Sequence, residues 1–194
     1  VHPSVPVESV KELIVLAQTK PGALNYASAG TGSMLQLAAE LFKSMAGVSI
    51  VRISYKGTGQ ANNALLGNQV HMIFSTAASV LPHVKSSRLK ALAVTSAQPS
   101  VLVPGVPTVG AAGLPGYEVD QMGSMLAPAK TPGAIIRRLN QEMGRVLTRP
   151  DVKTMYLSAG VEASPGSPEE LSVNMKSNRV KWGKLIKDAG IKAD

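Results

Sequence analysis

Apolar and polar positions between residues 24 and 45 follow two different periods, one after the other. Residues 24–27 predict a short half-buried strand, and from Met34 the apolar residues recur at the i, i+3, i+4 and i+7 positions of one helical face. Between these elements lies a loop of small residues, Ser28, Ala29, Gly30, Thr31, Gly32 and Ser33. The pattern predicts that this loop leads directly into the N-terminus of a helix and that Gly47 ends this helix.

The same unit recurs along the first half of the chain. Further strands are predicted at residues 50–55, 70–74 and 89–95, and helices are predicted between them. This alternation predicts an α/β fold with a parallel sheet and right-handed crossovers. In such sheets ligands bind at the carboxyl ends of the strands, so three loops are expected to lie at one edge: residues 28–33, the loop of Tyr55, Lys56 and Gly57, and the loop of Ser75, Thr76 and Ala77.

The first loop has the features of an anion-binding site. A helix N-terminus offers unpaired N–H groups, two glycines allow close approach to the backbone, and three residues add hydroxyls. The loop lacks the Lys-Ser/Thr ending of a P-loop and the third glycine of a dinucleotide fingerprint, so a carboxylate is favoured over a phosphate. A purely structural role remains an alternative, with Ser33 as the N-cap and the glycines forming a tight turn. Lys56 is either an anion contact or a solvated side chain.

The pattern changes after residue 116, where a Gly-Leu-Pro-Gly break suggests a domain boundary. Residues 117–126 predict one extended segment, and helices are predicted from residue 131, over 151–158 and from residue 168. These helices carry more apolar surface than so few strands can cover. The side chains expected to face a core are Ile135, Ile136, Leu139, Met143, Val146, Leu171, Met175, Trp182, Leu185 and Ile186.

Composition narrows the possible functions. The chain has 194 residues, 44% of them hydrophobic, and no apolar run long enough to span a bilayer. A net charge of +8 with only 4% aromatic residues, and basic residues spread along helices, argues against nucleic-acid binding. Cysteine is absent, and His2, His71 and His83 lack the spacing of metal ligands. The sequence therefore predicts no metal site, no cofactor and no catalytic residue.

Six runs of sequence, in order and with matching spacing, resemble the Bug family of extracytoplasmic solute receptors of tripartite tricarboxylate transporters. They are residues 21–33, 55–57, 89–95, 106–109, 112–119 and 126–128. The resemblance implies a periplasmic binding protein-like (type II) α/β fold. It further implies a periplasmic receptor that closes on a small carboxylate without chemistry, with membrane transporter subunits as partners.

The resemblance also implies one complete lobe and part of the second lobe. In that family a signal peptide and a first group of strand-helix units precede the position of Val1. Residues 1–116 would then be the complete α/β lobe, the second lobe of the receptor, and residues 117–194 a hinge strand and C-terminal helices of an incomplete first lobe. Weak ligand affinity and self-association through the incomplete lobe are expected. Many members carry an acidic residue after the strand matching residues 70–74, where this chain has Ser75 and Thr76, so simple carboxylates are favoured over amino acids.

Two other functions stay open at this point. One is an enzyme acting on a small carboxylate or a phosphorylated metabolite at the same strand ends, although no acid, base or metal constellation supports it. The other is a ligand-sensing regulatory module, which uses the same fold. Turnover assays would separate the enzyme from a receptor, since a receptor releases its ligand unchanged.

Overall fold

The computed structural model describes residues 1–192 and divides into two compact units. Unit 1 comprises residues 1–120 together with the chain from Leu185, and unit 2 comprises residues 121–184. The assignment of residues 1–116 and 117–194 to two lobes stays a prediction, and its last two residues, Ala193 and Asp194, lie outside the described residues. No helix within residues 1–192 is both long enough and apolar enough to cross a membrane.

Unit 1 is built on a parallel sheet of three strands in the order β2-β1-β3. Tyr26 of the central strand is aligned with Arg52 on one side and with Met72 on the other. The predicted parallel arrangement is therefore confirmed. The strands are β1 (Asn25–Ser28), β2 (Val51–Ser54) and β3 (Met72–Ile73).

Seven helices are described, four in unit 1 and the others beyond residue 120. Those of unit 1 are α1 (Val10–Thr19), α2 (Met34–Ala46), α3 (Thr58–Leu66) and α4 (Ala77–Lys85). The others are α5 (Gly133–Thr148), α6 (Pro150–Ser158) and α7 (Pro168–Asp188), the last of which ends in unit 1.

The strand, loop and helix around residues 24–45 form as the pattern predicts. Ser33 is the N-cap of α2, and its hydroxyl accepts a hydrogen bond from the Gln36 N–H at 3.4 Å. Gly47 ends the helix in the left-handed conformation, with φ of 63°. Local signals alone therefore fix both ends of this helix.

The sheet is covered on both faces because successive strand residues point in opposite directions. Tyr26 is fully buried and its hydroxyl donates to Glu40 of α2 at 2.7 Å. Ala27 belongs instead to a buried cluster with Ala61, Ala64, Leu65, Val70 and Leu89, on the side of α3.

The order of the strands creates a topological switch. The chain passes from β1 to β2 on one side, then crosses back over β1 to β3 on the other. Right-handed crossovers in opposite directions place their helices on opposite faces, as α2 and α3 are placed here. In open α/β sheets the ligand crevice lies at the carboxyl ends of the strands beside such a switch, which here are β1 and β3.

The prediction of a fourth strand at residues 89–95 is wrong. Backbone hydrogen bonds from this segment go to separate places, since Lys90 donates to the Val1 carbonyl and Val94 to the Pro107 carbonyl. A single bridge pairs Val94 with Thr108. This segment pairs with no strand of the sheet, so it stays irregular in spite of its strand-like composition.

The predicted extended segment at residues 117–126 does not form a strand either. Tyr117 and Val119 are buried, but every residue from 120 to 130 is exposed. A strand is stabilised by backbone hydrogen bonds to a neighbouring strand. Residues 120–130 have no such neighbour, which explains why the predicted extended segment does not become a strand.

The apolar faces expected to be buried on α5 and α7 are mostly not buried. Ile135, Leu139 and Val146 of α5 are 50%, 44% and 44% exposed, and Met175 of α7 is 53% exposed. Within the described residues of unit 2 no strand is present for these helices to cover. Leu185 is buried, while the remaining predicted core residues are half-buried: Ile136, Met143, Leu171, Trp182 and Ile186.

Candidate functional site

All three predicted loops lie at one edge of the sheet, because each follows the carboxyl end of a parallel strand. The first two are joined through the backbone, where the Tyr55 N–H donates to the Ser28 carbonyl at 2.9 Å. The third is joined to α3, since the Ser75 hydroxyl donates to the Asn62 side-chain carbonyl at 3.3 Å. The edge thus brings together the strand ends that the sequence predicted as a site.

The first loop bonds extensively with itself. The Gly32 N–H donates to the side-chain oxygen of Gln36 at 2.8 Å, and the Ser33 N–H donates to the Gly30 carbonyl at 3.4 Å. The Ser33 hydroxyl also donates to the Gly30 carbonyl, at 2.9 Å. Two of the N–H groups expected to receive an anion therefore already have acceptors, and both glycines adopt positive φ angles of 110° and 74°. Ala29 and Thr31 of this loop are half-buried.

Arg52 lies beside this loop and was not singled out from the sequence. Its Nε donates to the Ser28 hydroxyl at 2.8 Å, and its Nη2 donates to the Thr31 hydroxyl at 3.3 Å and to the Ser54 hydroxyl at 3.2 Å. The available signal was a charged residue inside an otherwise apolar strand pattern. Its place against the loop depends on pairing of β1 with β2, which the sequence did not reveal.

Tyr26 lies beneath the same loop, next to α2. Burial raises its pKa above the ordinary range, the hydrogen bond and charge of Glu40 raise the pKa further, and Arg52 opposes them. Glu40 is itself paired with Lys43 at 2.9 Å. Tyr26 therefore stays neutral and acts as a fixed hydrogen-bond donor that ties β1 to α2.

The second loop uses its side chains mainly for structure. The half-buried Tyr55 packs against the buried cluster on the α3 side of the sheet. The exposed Lys56 has its N–H bonded to the Gln60 side-chain oxygen at 3.2 Å, and Gly57 is the N-cap of α3. The structure thus leaves the Lys56 ammonium at the surface beside the strand end.

The third loop is a cluster of hydroxyls at the start of α4. Ser75 and Ser79 share a hydrogen bond at 2.9 Å, and the Thr76 hydroxyl donates to Ser79 at 3.1 Å. Thr76 is the exposed N-cap of α4, and Ala77 is its half-buried first residue. Asn62, which is 7% exposed, supports the cluster from α3 and was also missed from the sequence.

A shallow depression of about 330 Å³ is present in unit 1, but it contains none of the predicted site residues. Glu118 is the charged residue in its lining. The depression is lined by Ala97, Thr108, Gly110, Ala111, Pro115, Gly116, Tyr117 and Glu118.

A doubly covered parallel sheet with hydroxyl-bearing loops at its carboxyl end defines the class of open α/β proteins that bind ligands at the ends of their strands. Residues 1–191 match the profile described as tripartite tricarboxylate transporter family receptor, TctC. The chain belongs to this family, and the resemblance inferred from sequence is confirmed. The family consists of periplasmic receptors rather than enzymes.

A curated relative shares much of the sequence. The chain is 34% identical over 195 residues to the UPF0065 protein in the tcbD-tcbE intergenic region of Pseudomonas sp. strain P51. The match covers 98% of this chain and 58% of that protein. The chain thus spans less than two thirds of the relative that it matches.

Solved structures agree with the fold. R. palustris Rpa4515 with adipate superposes with a TM-score of 0.86 at 32% identity, covering 98% of this chain and 64% of that one. The periplasmic binding protein BugD gives a TM-score of 0.81 at 29% identity and covers 100% of this chain and 65% of its own. MatC from Rhodopseudomonas palustris with bound malate gives a TM-score of 0.74 at 26% identity and covers 93% of this chain and 63% of its own. The predicted fold class is confirmed, while none of these findings supports the expected self-association.

Proposed function

We propose that this chain supplies one wall of the ligand cleft in a periplasmic receptor that captures a small carboxylate for a tripartite tricarboxylate-type transporter. The observation that carries the proposal is the set of three loops at the carboxyl ends of the parallel strands, with Arg52 bonded into the first of them. Two relatives of the same fold, Rpa4515 and MatC, were solved with adipate and with malate, which are both dicarboxylates.

The proposed wall uses the crevice between the ends of β1 and β3. Loop 28–33 and the hydroxyl cluster at Ser75 and Thr76 stand on its two sides. Hydroxyls and the first turn of α2 offer donors to a carboxylate, and a helix N-terminus adds a favourable partial charge. The positive φ of Gly32 sets the path of the loop, so the site depends on this backbone conformation.

The two-lobe organisation is part of the same proposal. Residues 1–116 form the complete lobe that carries the three loops, and residues 117–194 form a hinge segment and helices of the other lobe. The boundary between the compact units near residue 120 supports the start of the second part, although the chain from Leu185 groups with unit 1. The coverage of only 64% of the adipate-bound relative also supports the proposal. Most ligand sites bury a small molecule from several sides, so one wall alone should bind weakly.

The experiment is a titration of the isotope-labelled chain with adipate and with malate, followed by NMR because it detects millimolar affinity. Amide signals of the three loops should shift together, while signals of unit 2 should stay in place. The corresponding neutral diamides serve as ligand controls and should produce weaker shifts.

A matched pair of variants tests the first loop. Gly32→Val and Gly105→Val both introduce a β-branched residue at a positive φ, 74° and 83°, where the added Cβ has no neighbour within 4 Å. Gly32→Val should lose carboxylate binding, whereas Gly105→Val should keep it. Equal binding by both variants, or shifts that avoid the three loops in the parent, would contradict the proposed site.

The proposal also includes a partnership with a membrane transporter, which membership of the TctC family supports. Uptake of a radiolabelled carboxylate by cells that contain the membrane subunits should require the receptor. Uptake that is the same without the receptor would exclude this role.

A further inference from the structure

Arg52 differs from every other arginine of residues 1–192 in its surroundings. The other arginines are exposed, while Arg52 is half-buried. Several of the exposed ones form ion pairs, as Arg138 and Arg145 do with Glu142 and Arg149 does with Asp151. Among the described residues, no carboxylate pairs with Arg52.

Its guanidinium is held by three neutral hydroxyls. The Nε and Nη2 atoms donate to Ser28, Thr31 and Ser54, at 2.8, 3.3 and 3.2 Å. Guanidinium carries five N–H donors in a rigid plane, and within the described residues neither N–H of Nη1 has a protein acceptor. Glu40 and Arg52 both influence the pKa of Tyr26, but the Glu40 carboxylate forms its ion pair with Lys43.

A half-buried charge without a counter-charge is costly, because it loses hydration and gains no ion pair. Neutral hydroxyls fix the orientation of the plane but leave its charge uncompensated. An anion that arrives at the loop would meet a cation whose geometry is already set, so little conformational entropy is lost on binding.

We propose that Arg52 binds a carboxylate group of the ligand directly, through Nη1, and selects anionic over neutral solutes at the site formed by loop 28–33. This inference rests on the proposed function and adds a half-buried, oriented cation to loop 28–33, which has no charged side chain of its own. Charge-assisted hydrogen bonds from arginine to a carboxylate are among the strongest that a side chain makes.

The test compares three variants by NMR titration with adipate. Arg52→Gln removes the charge, Arg52→Lys keeps it but cannot hold three hydroxyls in the guanidinium plane, and Arg88→Gln removes an exposed charge as a matched control. We expect Arg52→Gln to weaken adipate binding about 10- to 100-fold, as for loss of a charged hydrogen bond. Arg52→Lys should retain an intermediate affinity and Arg88→Gln the affinity of the parent. The Nε–Hε signal of Arg52 should shift on titration of the parent.

Three results would overturn the inference. Adipate binding by Arg52→Gln that matches the parent would show that the charge is not used. A loss in Arg52→Lys as large as in Arg52→Gln, with altered loop signals before ligand is added, would show that Arg52 only positions the loop. If the parent itself binds neither adipate nor malate, the proposed function fails, and this inference fails with it.

Discussion

The conformation of loop 28–33 can be tested by adding one methyl group at two glycines. Gly32 has φ of 74° and Gly59 lies in α3 without a positive φ, and a Cβ at either position meets nothing within 4 Å. Any difference between Gly32→Ala and Gly59→Ala therefore reports backbone conformation rather than packing. The left-handed conformation costs alanine about 1–2 kcal/mol.

The net change in the free energy of unfolding also depends on the unfolded state. Replacing glycine with alanine restricts the unfolded chain and returns about 0.4–1 kcal/mol. Gly32→Ala should then lower the free energy of unfolding of unit 1 by about 0.5–1 kcal/mol. Gly59→Ala should raise it by about 0.5–1 kcal/mol, because alanine is favoured in a helix.

Hydrogen exchange of β1 amides is a suitable assay because it measures opening of the unit that contains the site. The Ala27 amide should exchange about two to five times faster in Gly32→Ala than in the parent, and slower in Gly59→Ala. Equal or stronger protection in Gly32→Ala would refute the left-handed loop conformation and the site geometry that depends on it.

Three further changes test the contacts around the site. Ser28→Ala leaves the Arg52 Nε without its buried acceptor and should cost about 1–3 kcal/mol in urea unfolding, and no loss would mean that water replaces the hydroxyl. Burial raises the pKa of Tyr26. Its contribution to the free energy of unfolding is therefore fully present below pH about 10 and is lost as the pH rises further. Tyr26→Phe should make this alkaline loss shallower by up to about 1.4 kcal/mol per pH unit, and an unchanged slope would contradict a neutral, buried hydroxyl. Asn62→Leu removes the acceptor of the Ser75 hydroxyl, so NMR should report greater mobility of the third loop, and an unchanged loop would show that Ser79 alone holds it.

Local patterns were sufficient to predict the central part of the fold. The helical period from Met34, the capping hydroxyl of Ser33 and the terminal Gly47 all act within a few residues of where they stand. The small residues of loop 28–33 likewise indicated a tight turn between strand and helix. Such signals do not depend on what the rest of the chain does, so they can be detected in a single sequence.

Features that depend on pairing between distant segments could not be predicted in this way. Arg52 reaches Ser28 because β2 pairs with β1 in a register that aligns it with Tyr26, two residues earlier. Residues 89–95 show the opposite case, since their composition favours a strand but no neighbouring edge accepts one. Both outcomes are set by the partner strand rather than by the residues themselves.

A hydrogen bond of the same kind occurs in the first two loops and reduces the number of backbone amides that an anion could use. The Gly32 N–H donates to Gln36 and the Lys56 N–H donates to Gln60, in both cases to a side-chain oxygen four residues further along. An N–H that already has an acceptor gains little from a second one, so an anion that relied on these amides would have to displace a neutral partner. Phosphate sites use several backbone N–H groups at once, and at least these two amides are already engaged. Under the proposed function, a carboxylate would need fewer donors than a phosphate and would bind to the hydroxyls and to the guanidinium of Arg52.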